Sequence, residues 1–123
     1  SLREAGSNNK IIFGECGGYM VLGNSLVDKA GKSHQMAGLL QLKTTFKNNK
    51  LSLGYKKAVS LTSSPFGPVG TNLRCHEFHY ATVVTSSGNK LFKVEDPNHQ
   101  DLGFQGLQNK SIFGSFMHLL DYA

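Results

Sequence analysis

The sequence predicts an α/β fold, and three successive segments near its start carry the main reason. Residues 10–13 form a short run of apolar, partly β-branched side chains, which suits a strand buried on both faces. A glycine-rich turn follows at residues 14–18, and residues 19–23 predict the first turns of a helix. A strand, a tight turn and a helix in this order are typical of α/β proteins.

The middle of the chain is richer in predicted strands. Residues 51–61 and 73–85 are β-biased, and the Pro and Gly content of residues 63–70 between them predicts a loop. A polar turn follows the second of these runs, and we expect it to join residues 81–85 and 91–94 in a hairpin.

The two ends of the chain indicate further elements. Residues 1–6 have the pattern of a helix end, residues 111–114 predict a short strand, and residues 115–120 predict a helix or a loop. A buried parallel strand needs a neighbour on each side, and little sequence precedes residue 10 to provide one. We therefore expect residues 1–123 to be the C-terminal part of an N-terminally truncated domain, with an exposed edge that could support a homodimer.

The size and composition of the chain indicate one soluble domain. Its 123 residues contain no apolar run near the ~18 residues of a membrane span, and no secretion signal at the start. We therefore expect no membrane partner, a cytoplasmic location and reduced thiols at Cys16 and Cys75. The 13 basic and 8 acidic residues give a net charge of +5, but the lysines are scattered and not interleaved with aromatic residues, which disfavours nucleic-acid binding.

A cysteine lies in the glycine-rich turn between the predicted strand and helix. Residues 14–18 have the form G-x-C-x-G around Cys16, the spacing of a nucleophile elbow in which glycines relieve the crowding of a strained turn. A helix start stabilises a thiolate, and the backbone N–H of Gly17 can donate to a developing oxyanion. A buried structural cysteine is the alternative, but the flanking strand and helix favour a nucleophile.

A thiol nucleophile needs a base, and the sequence offers five histidines. They are His34, His76, His79, His99 and His118. We expect His34 and His99 in loops, the latter at the surface. His118 lies between two apolar residues, where a buried structural histidine and a catalytic one are equal alternatives.

The segment Cys75-His76-Glu77-Phe78-His79 suggests a zinc site, but its expected structure does not favour one. A strand turns His76 and His79 to opposite faces, so we expect no metal. The same alternation places Cys75, Glu77 and His79 on one face. His76, Phe78 and Tyr80 then lie on the other face, and either set could line a pocket.

Five ordered segments resemble those of one protein family. They are residues 14–20 (GECGGYM), 36–40 (MAGLL), 53–55 (LGY), 74–80 (RCHEFHY) and 114–118 (GSFMH). Together they resemble the C-terminal glutaminase domain of the cobyrinic and hydrogenobyrinic acid a,c-diamide synthases, and the resemblance covers nearly the whole chain. It implies a class I glutamine amidotransferase fold with flavodoxin-like α/β layers.

The resemblance also implies the chemistry. Cys16 would attack the side-chain amide of glutamine, while His118 would accept the thiol proton and later protonate the departing ammonia. In the family, the ammonia passes to a synthetase domain that uses ATP and Mg²⁺ to amidate the a and c carboxylates of a corrin precursor, cobyrinate or hydrogenobyrinate, in cobalamin biosynthesis. That ATP-binding domain lies outside this chain, so we expect no cofactor in the chain itself.

The sequence departs from the wider class at one catalytic position and leaves other functions open. Triad members of the class have Glu two residues after the histidine, whereas this chain has Leu120. Glu77 is a candidate to orient His118 instead, while His76, His79 and Tyr80 are candidate pocket residues. The alternatives are a cobyric-acid-synthase-like amidotransferase, a cysteine hydrolase of similar fold, and a catalytically silent structural or interaction module.

Overall fold

The structure of the protein is a computed structural model that describes residues 10–47 and 51–122. These residues form eleven strands and one helix. In chain order they are β1 Ile12–Glu15, α1 Gly17–Leu22, β2 Ser25–Val27, β3 Ser33–Gln35, β4 Gln41–Thr45, β5 Ser52–Ser60, β6 Asn72–His79, β7 Thr82–Ser87, β8 Asn89–Glu95, β9 Asp101–Asn109, β10 Ile112–Ser115 and β11 Met117–Tyr122. The helix end expected at residues 1–6 lies outside the described residues.

A seven-stranded sheet forms the larger part of the fold, with the strand order β1-β10-β9-β8-β5-β6-β11. Strands β1 and β10 are parallel, and the other pairs of this sheet are antiparallel. Only Phe116 separates β10 from β11, so one nearly continuous segment pairs with β1 and β9 in its first half and with β6 in its second. This segment therefore connects the two ends of the strand order, because β10 lies next to β1 at one end and β11 lies next to β6 at the other.

A second sheet of four strands has the order β3-β2-β4-β7. Strands β2 and β4 are parallel, while β3 and β7 pair antiparallel at its two sides. Within the described part of the chain, no helix is long and apolar enough to cross a membrane.

Two clusters of buried apolar side chains stabilise the fold. The first packs Tyr19 and Leu22 of α1 against Leu42 of β4 and Ile112 of β10. The second lies within the seven-stranded sheet and consists of Ala58, Leu73, Cys75, Leu91, Phe92, Val94, Phe113 and Met117. Complete burial of one large aliphatic or aromatic side chain contributes about 1.5–3 kcal/mol, so these clusters hold α1 and β10 firmly together.

The α/β prediction holds only for the first strand, turn and helix. The other described elements are all strands, so this region is a sheet-dominated mixed structure in which α1, with six residues, is the one described helix. Gly23 ends α1 after Leu22, and the β-biased segments beyond residue 50 pair with one another, so the flavodoxin-like layers stay a prediction.

Four expectations about single elements are wrong. Strand β1 is half-buried and not buried on both faces, and it pairs with β10 alone among the described strands, which leaves an open edge. Strands β7 and β8 do not form a hairpin, because β7 pairs with β4 and β8 pairs with β5 and β9. Residues 115–120 continue as β11 because β6 supplies a pairing edge. His34 lies in β3 and not in a loop.

Candidate active site

Cys16 lies in a strained turn between β1 and α1. Its backbone has φ 53° and ψ −109°, and a positive φ is uncommon for any residue other than glycine. Strain of this kind is concentrated at functional sites, where the surrounding structure maintains it. The strand, turn and helix predicted around Cys16 are therefore confirmed, while its role as a nucleophile stays a prediction.

Contacts from two strands surround Cys16. Its backbone N–H donates to the carbonyl oxygen of Ser115, the last residue of β10, at 2.9 Å. Its thiol donates to the carbonyl oxygen of Phe78 in β6 at 3.7 Å. The half-buried thiol thus lies where the end of β10 meets β6.

Cys75 has a different environment from Cys16. It is fully buried in the core of the seven-stranded sheet. Burial, together with the nearby charge of Glu15, raises the pKa of the Cys75 thiol to about 12. Because the thiolate is the reactive form, Cys75 is expected to be inert at neutral pH.

His118 lies in β11 and faces His76 of β6 in the strand register. The two imidazoles share one face of the sheet, because directly paired residues of antiparallel strands point the same way. The Cys16 thiol contacts β6 at Phe78, two residues along from His76, and two strand residues span about 7 Å. The structure therefore brings the predicted nucleophile and base to the same part of β6.

A carboxylate joins the turn of Cys16 to the strand of His118. The backbone N–H of Leu119, next to His118, donates to Oε2 of Glu15 at 2.7 Å. The sequence interpretation missed Glu15. The available signal was a charged residue between Gly14 and Cys16, at the end of an otherwise apolar strand.

Glu77 lies with His79 on the buried face of β6, as the alternation predicted. Its Oε2 accepts a hydrogen bond from Nε2 of His79 at 2.8 Å, and its Oε1 lies 3.8 Å from Nζ of Lys56. In the register Glu77 faces Met117, so its side chain and that of His118 point to opposite faces. The structure therefore brings Glu77 together with His79 and not with His118.

Both ring nitrogens of His79 make polar contacts, and one face of the ring packs against another aromatic ring. Its Nδ1 lies 2.6 Å from the carbonyl oxygen of Ala81, and its Nε2 lies 2.8 Å from Glu77. Since a backbone carbonyl only accepts, Nδ1 is the donor in the first of these bonds. The ring also stacks on Phe116, with centroids 4.1 Å apart, and so packs against the residue between β10 and β11.

A cleft of about 270 Å³ opens beside this pair. Glu77, His79, Tyr19 and Phe116 contribute to its wall, and Lys90 adds a positive charge. Glu77 and His79 thus border a cleft, while a role for them in binding a substrate stays a prediction. The cleft lies on the opposite face of β6 from His118.

His76 and Tyr80 belong to an aromatic surface on the face of His118. The ring of His76 meets Tyr55 edge-on at 5.0 Å, and Tyr80 meets Phe78 edge-on at 5.9 Å. Tyr55, Phe78 and Tyr80 are exposed. Because Phe78 also supplies the carbonyl contacted by Cys16, this surface adjoins the candidate site.

The other two histidines lie away from Cys16. His34 pairs with Asp28 at 2.8 Å, and the exposed His99 pairs with Glu95 at 3.1 Å, as expected for a surface residue. Within residues 10–47 and 51–122, no three His, Cys, Asp or Glu side chains are grouped so that they could hold a metal ion.

The Glu77–His79 pair predicts a change of stability with pH. Burial alone would raise the pKa of Glu77, but the hydrogen bond and charge of His79, with Lys56, lower it below its ordinary value of 4.5. The ionised carboxylate therefore stabilises the fold above pH 4.5, and this contribution is lost as the pH falls through the lowered pKa. Glu77→Gln is expected to lower the free energy of unfolding by about 2 kcal/mol at pH 7 and to reduce its loss on acidification.

Urea unfolding between pH 3 and pH 7 measures this effect. Glu95→Gln is the matched control, because its histidine partner is exposed and such pairs contribute about 0–1 kcal/mol. Equal stability curves for the wild type and Glu77→Gln would contradict the prediction.

The strained turn after β1, the half-buried Cys16 and the nearby strand of His118 have the arrangement expected of a cysteine-nucleophile site, while the roles of these residues stay predictions. The comparisons with known proteins show the family. Residues 1–121 match the CobB/CobQ-like glutamine amidotransferase domain, and the chain belongs to this family. Membership implies the class I glutamine amidotransferase fold.

Several proteins that match nearly the whole chain are named hydrogenobyrinate a,c-diamide synthase. The protein of this name from Brucella anthropi is 47% identical over 98% of the chain, and that from a Sinorhizobium species is 44% identical over 99%. The protein from Rhodobacter capsulatus is 41% identical over 93% of the chain. The chain spans about a quarter of these relatives, from 26% to 28% of their length.

Proposed function

We propose that this chain is the glutaminase portion of an ATP-dependent amidoligase that amidates the a and c carboxylates of cobyrinic or hydrogenobyrinic acid in cobalamin biosynthesis. The observation that carries the proposal is the strained backbone of Cys16, joined through Ser115 to the segment that contains His118. Family membership and the names of the relatives support the choice of glutamine and of a corrin precursor.

The proposed reaction begins at the Cys16 thiol. His118 takes the thiol proton, and the sulfur attacks the side-chain amide carbon of glutamine. His118 then gives the proton to the nitrogen, ammonia departs, and a γ-glutamyl thioester remains on Cys16. Water hydrolyses the thioester, which releases glutamate and restores the thiol.

The backbone N–H of Gly17 is suited to stabilise the oxyanion of this reaction. Gly17 is the first residue of α1, and the first N–H groups of a helix have no partner within the helix. A Cβ atom added at Gly17 or Gly18 would meet nothing within 4 Å, so there is open space beside this N–H for a substrate. One oxyanion donor contributes about 10²–10³ in rate.

The ammonia would be used outside this chain. We infer a synthetase domain that activates the corrin carboxylates with ATP and Mg²⁺ and accepts the ammonia. This inference rests on the family resemblance, and the chain spans about a quarter of the length of the relatives it matches. The chain itself has no G-x-x-x-x-G-K-[ST] motif for ATP binding.

An electrophilic glutamine analogue tests the proposal. At neutral pH it is expected to label Cys16 rapidly, and His118→Ala is expected to slow this labelling by about 10²-fold or more because the thiol loses its base. Cys75 is the internal control, since it is buried and should stay unlabelled. Mass spectrometry of the digested protein distinguishes the two cysteines, and equal slow labelling of both would favour a catalytically silent module.

A further inference from the structure

The side chain of Glu15 bridges two segments that are 104 positions apart in the sequence. Glu15 ends β1 and immediately precedes Cys16, while its hydrogen-bond partner Leu119 immediately follows His118. One 2.7 Å hydrogen bond therefore connects the neighbours of the two proposed catalytic residues.

The pairing of β11 indicates what the hydrogen bond between Glu15 and Leu119 contributes. Strand β11 is the last of the seven-stranded sheet, and among the described strands it pairs with β6 alone. Its register with β6 shifts between Leu119 and Asp121, just beyond His118. Such a strand has fewer ladder hydrogen bonds than a central strand, so a side-chain hydrogen bond to its backbone adds to the contacts that fix its position.

Glu15 supplies that contact from the opposite end of the sheet. The backbone of β1 is already fixed by its parallel register with β10, in which Glu15 faces Ser115. Its carboxylate then accepts the Leu119 N–H, and hydrogen bonds to a charged acceptor are about twice as strong as neutral ones. The charge of Glu15 also acts on Cys75, which faces Leu119 in the register, so the carboxylate lies close to this pair.

We propose that Glu15 is a positioning residue, whose carboxylate holds the Leu119 N–H and thereby keeps His118 within reach of the Cys16 thiol. This role rests on the proposed function, in which His118 is the base for Cys16. It differs from the arrangement in which a carboxylate contacts the imidazole, because Glu15 acts through the backbone of β11.

Two substitutions of Glu15 and one control test the role. Glu15→Ala removes the acceptor, and a misplacement of about 1 Å is expected to lower kcat for glutamine hydrolysis by about 10²-fold, with KM changed by less than about threefold. Glu15→Gln keeps an acceptor oxygen and is expected to retain kcat within about tenfold of the wild type. Ser111→Ala is the matched control, because it removes another long-range side-chain hydrogen bond, from Ser111 Oγ to the Lys10 carbonyl at 2.8 Å, beyond the opposite end of β1 from Glu15.

The second measurement is hydrogen exchange of the Leu119 amide by NMR, which requires no activity. Glu15→Ala is expected to speed this exchange at least about tenfold, while Ser111→Ala leaves it unchanged. Together with the kcat loss and its rescue by Glu15→Gln, this result supports the proposal.

Three results would overturn the proposal. The first is unchanged kcat in Glu15→Ala, and the second is an equal loss in Glu15→Gln or in Ser111→Ala. The third is unchanged Leu119 exchange in Glu15→Ala. A wild-type protein with a protected Leu119 amide but no glutaminase activity and no labelling of Cys16 would instead overturn the proposed function, and the catalytic role of Glu15 with it.

Discussion

Cys16→Ala is expected to lower the rate of ammonia release from glutamine by about 10⁴-fold or more. Alanine removes the sulfur that forms the thioester, and loss of a catalytic nucleophile removes covalent catalysis as a whole. The strained backbone at Cys16 should persist, because its N–H bond to Ser115 and the packing of α1 do not involve the thiol. A coupled assay of glutamate formation measures the effect.

Cys75→Ala is the control for this experiment. Its thiol is buried and its pKa is raised to about 12, so it takes no part in catalysis at neutral pH. We expect kcat within about threefold of the wild type and a loss of about 1 kcal/mol of stability from the smaller side chain. Retained activity in Cys16→Ala, or an equal loss in Cys75→Ala, would show that the nucleophile was wrongly assigned.

Gly14→Ala is expected to destabilise the protein by about 3 kcal/mol, or roughly 10 °C in Tm. A Cβ atom at Gly14 would lie 2.7 Å from the backbone carbon of Gly18 and 2.7 Å from Leu22, both in α1. Backbone atoms cannot move aside as a flexible side chain can, so α1 would have to shift away from β1. The nucleophile turn lies between these two elements, and glutaminase activity should fall with stability.

Gly18→Ala provides the matched comparison on the other side of this contact. A Cβ atom there would meet nothing within 4 Å, and alanine is preferred to glycine inside a helix by about 0.5–1 kcal/mol. Thermal unfolding should therefore show a higher Tm for Gly18→Ala and a lower one for Gly14→Ala. Similar Tm values for both variants would mean that α1 does not pack closely on β1.

The parts of the site that depend on neighbouring residues could be predicted from the sequence. The turn at Cys16 follows from an apolar run, the three glycines of residues 14–18 and a short helix after them. The alternation that buries Glu77 and His79 on one face of β6 follows from strand geometry alone. Both features are local, so no knowledge of strand partners was required.

The features that depend on distant pairing could not be predicted in this way. Residues 115–120 carry no strong strand signal, and they become β11 because β6 offers hydrogen-bonding groups. Gly88 has φ 107° between β7 and β8, where the sequence predicted a turn. However, β7 belongs to the four-stranded sheet and β8 to the seven-stranded sheet. The contact of Glu15 with Leu119 depends on the same long-range order. Glu77, the candidate from the sequence, points to the opposite face of the sheet from His118.

The parallel pairing of β1 with β10 has a consequence for the order in which the candidate site is assembled during synthesis. Ile12 faces Ile112 and Glu15 faces Ser115, so the turn of Cys16 is completed by a strand that is synthesised much later than the turn itself. Contacts so distant in sequence carry a large loop-closure cost and slow folding, typically to milliseconds or seconds in β-rich domains. Synthesis at about 5–20 residues per second means that several seconds separate the emergence of Cys16 from that of His118. During that interval the nascent chain carries the Cys16 thiol without the segment of His118. Under the proposed function, we therefore expect glutamine hydrolysis to begin only after β10 and β11 have joined the sheet.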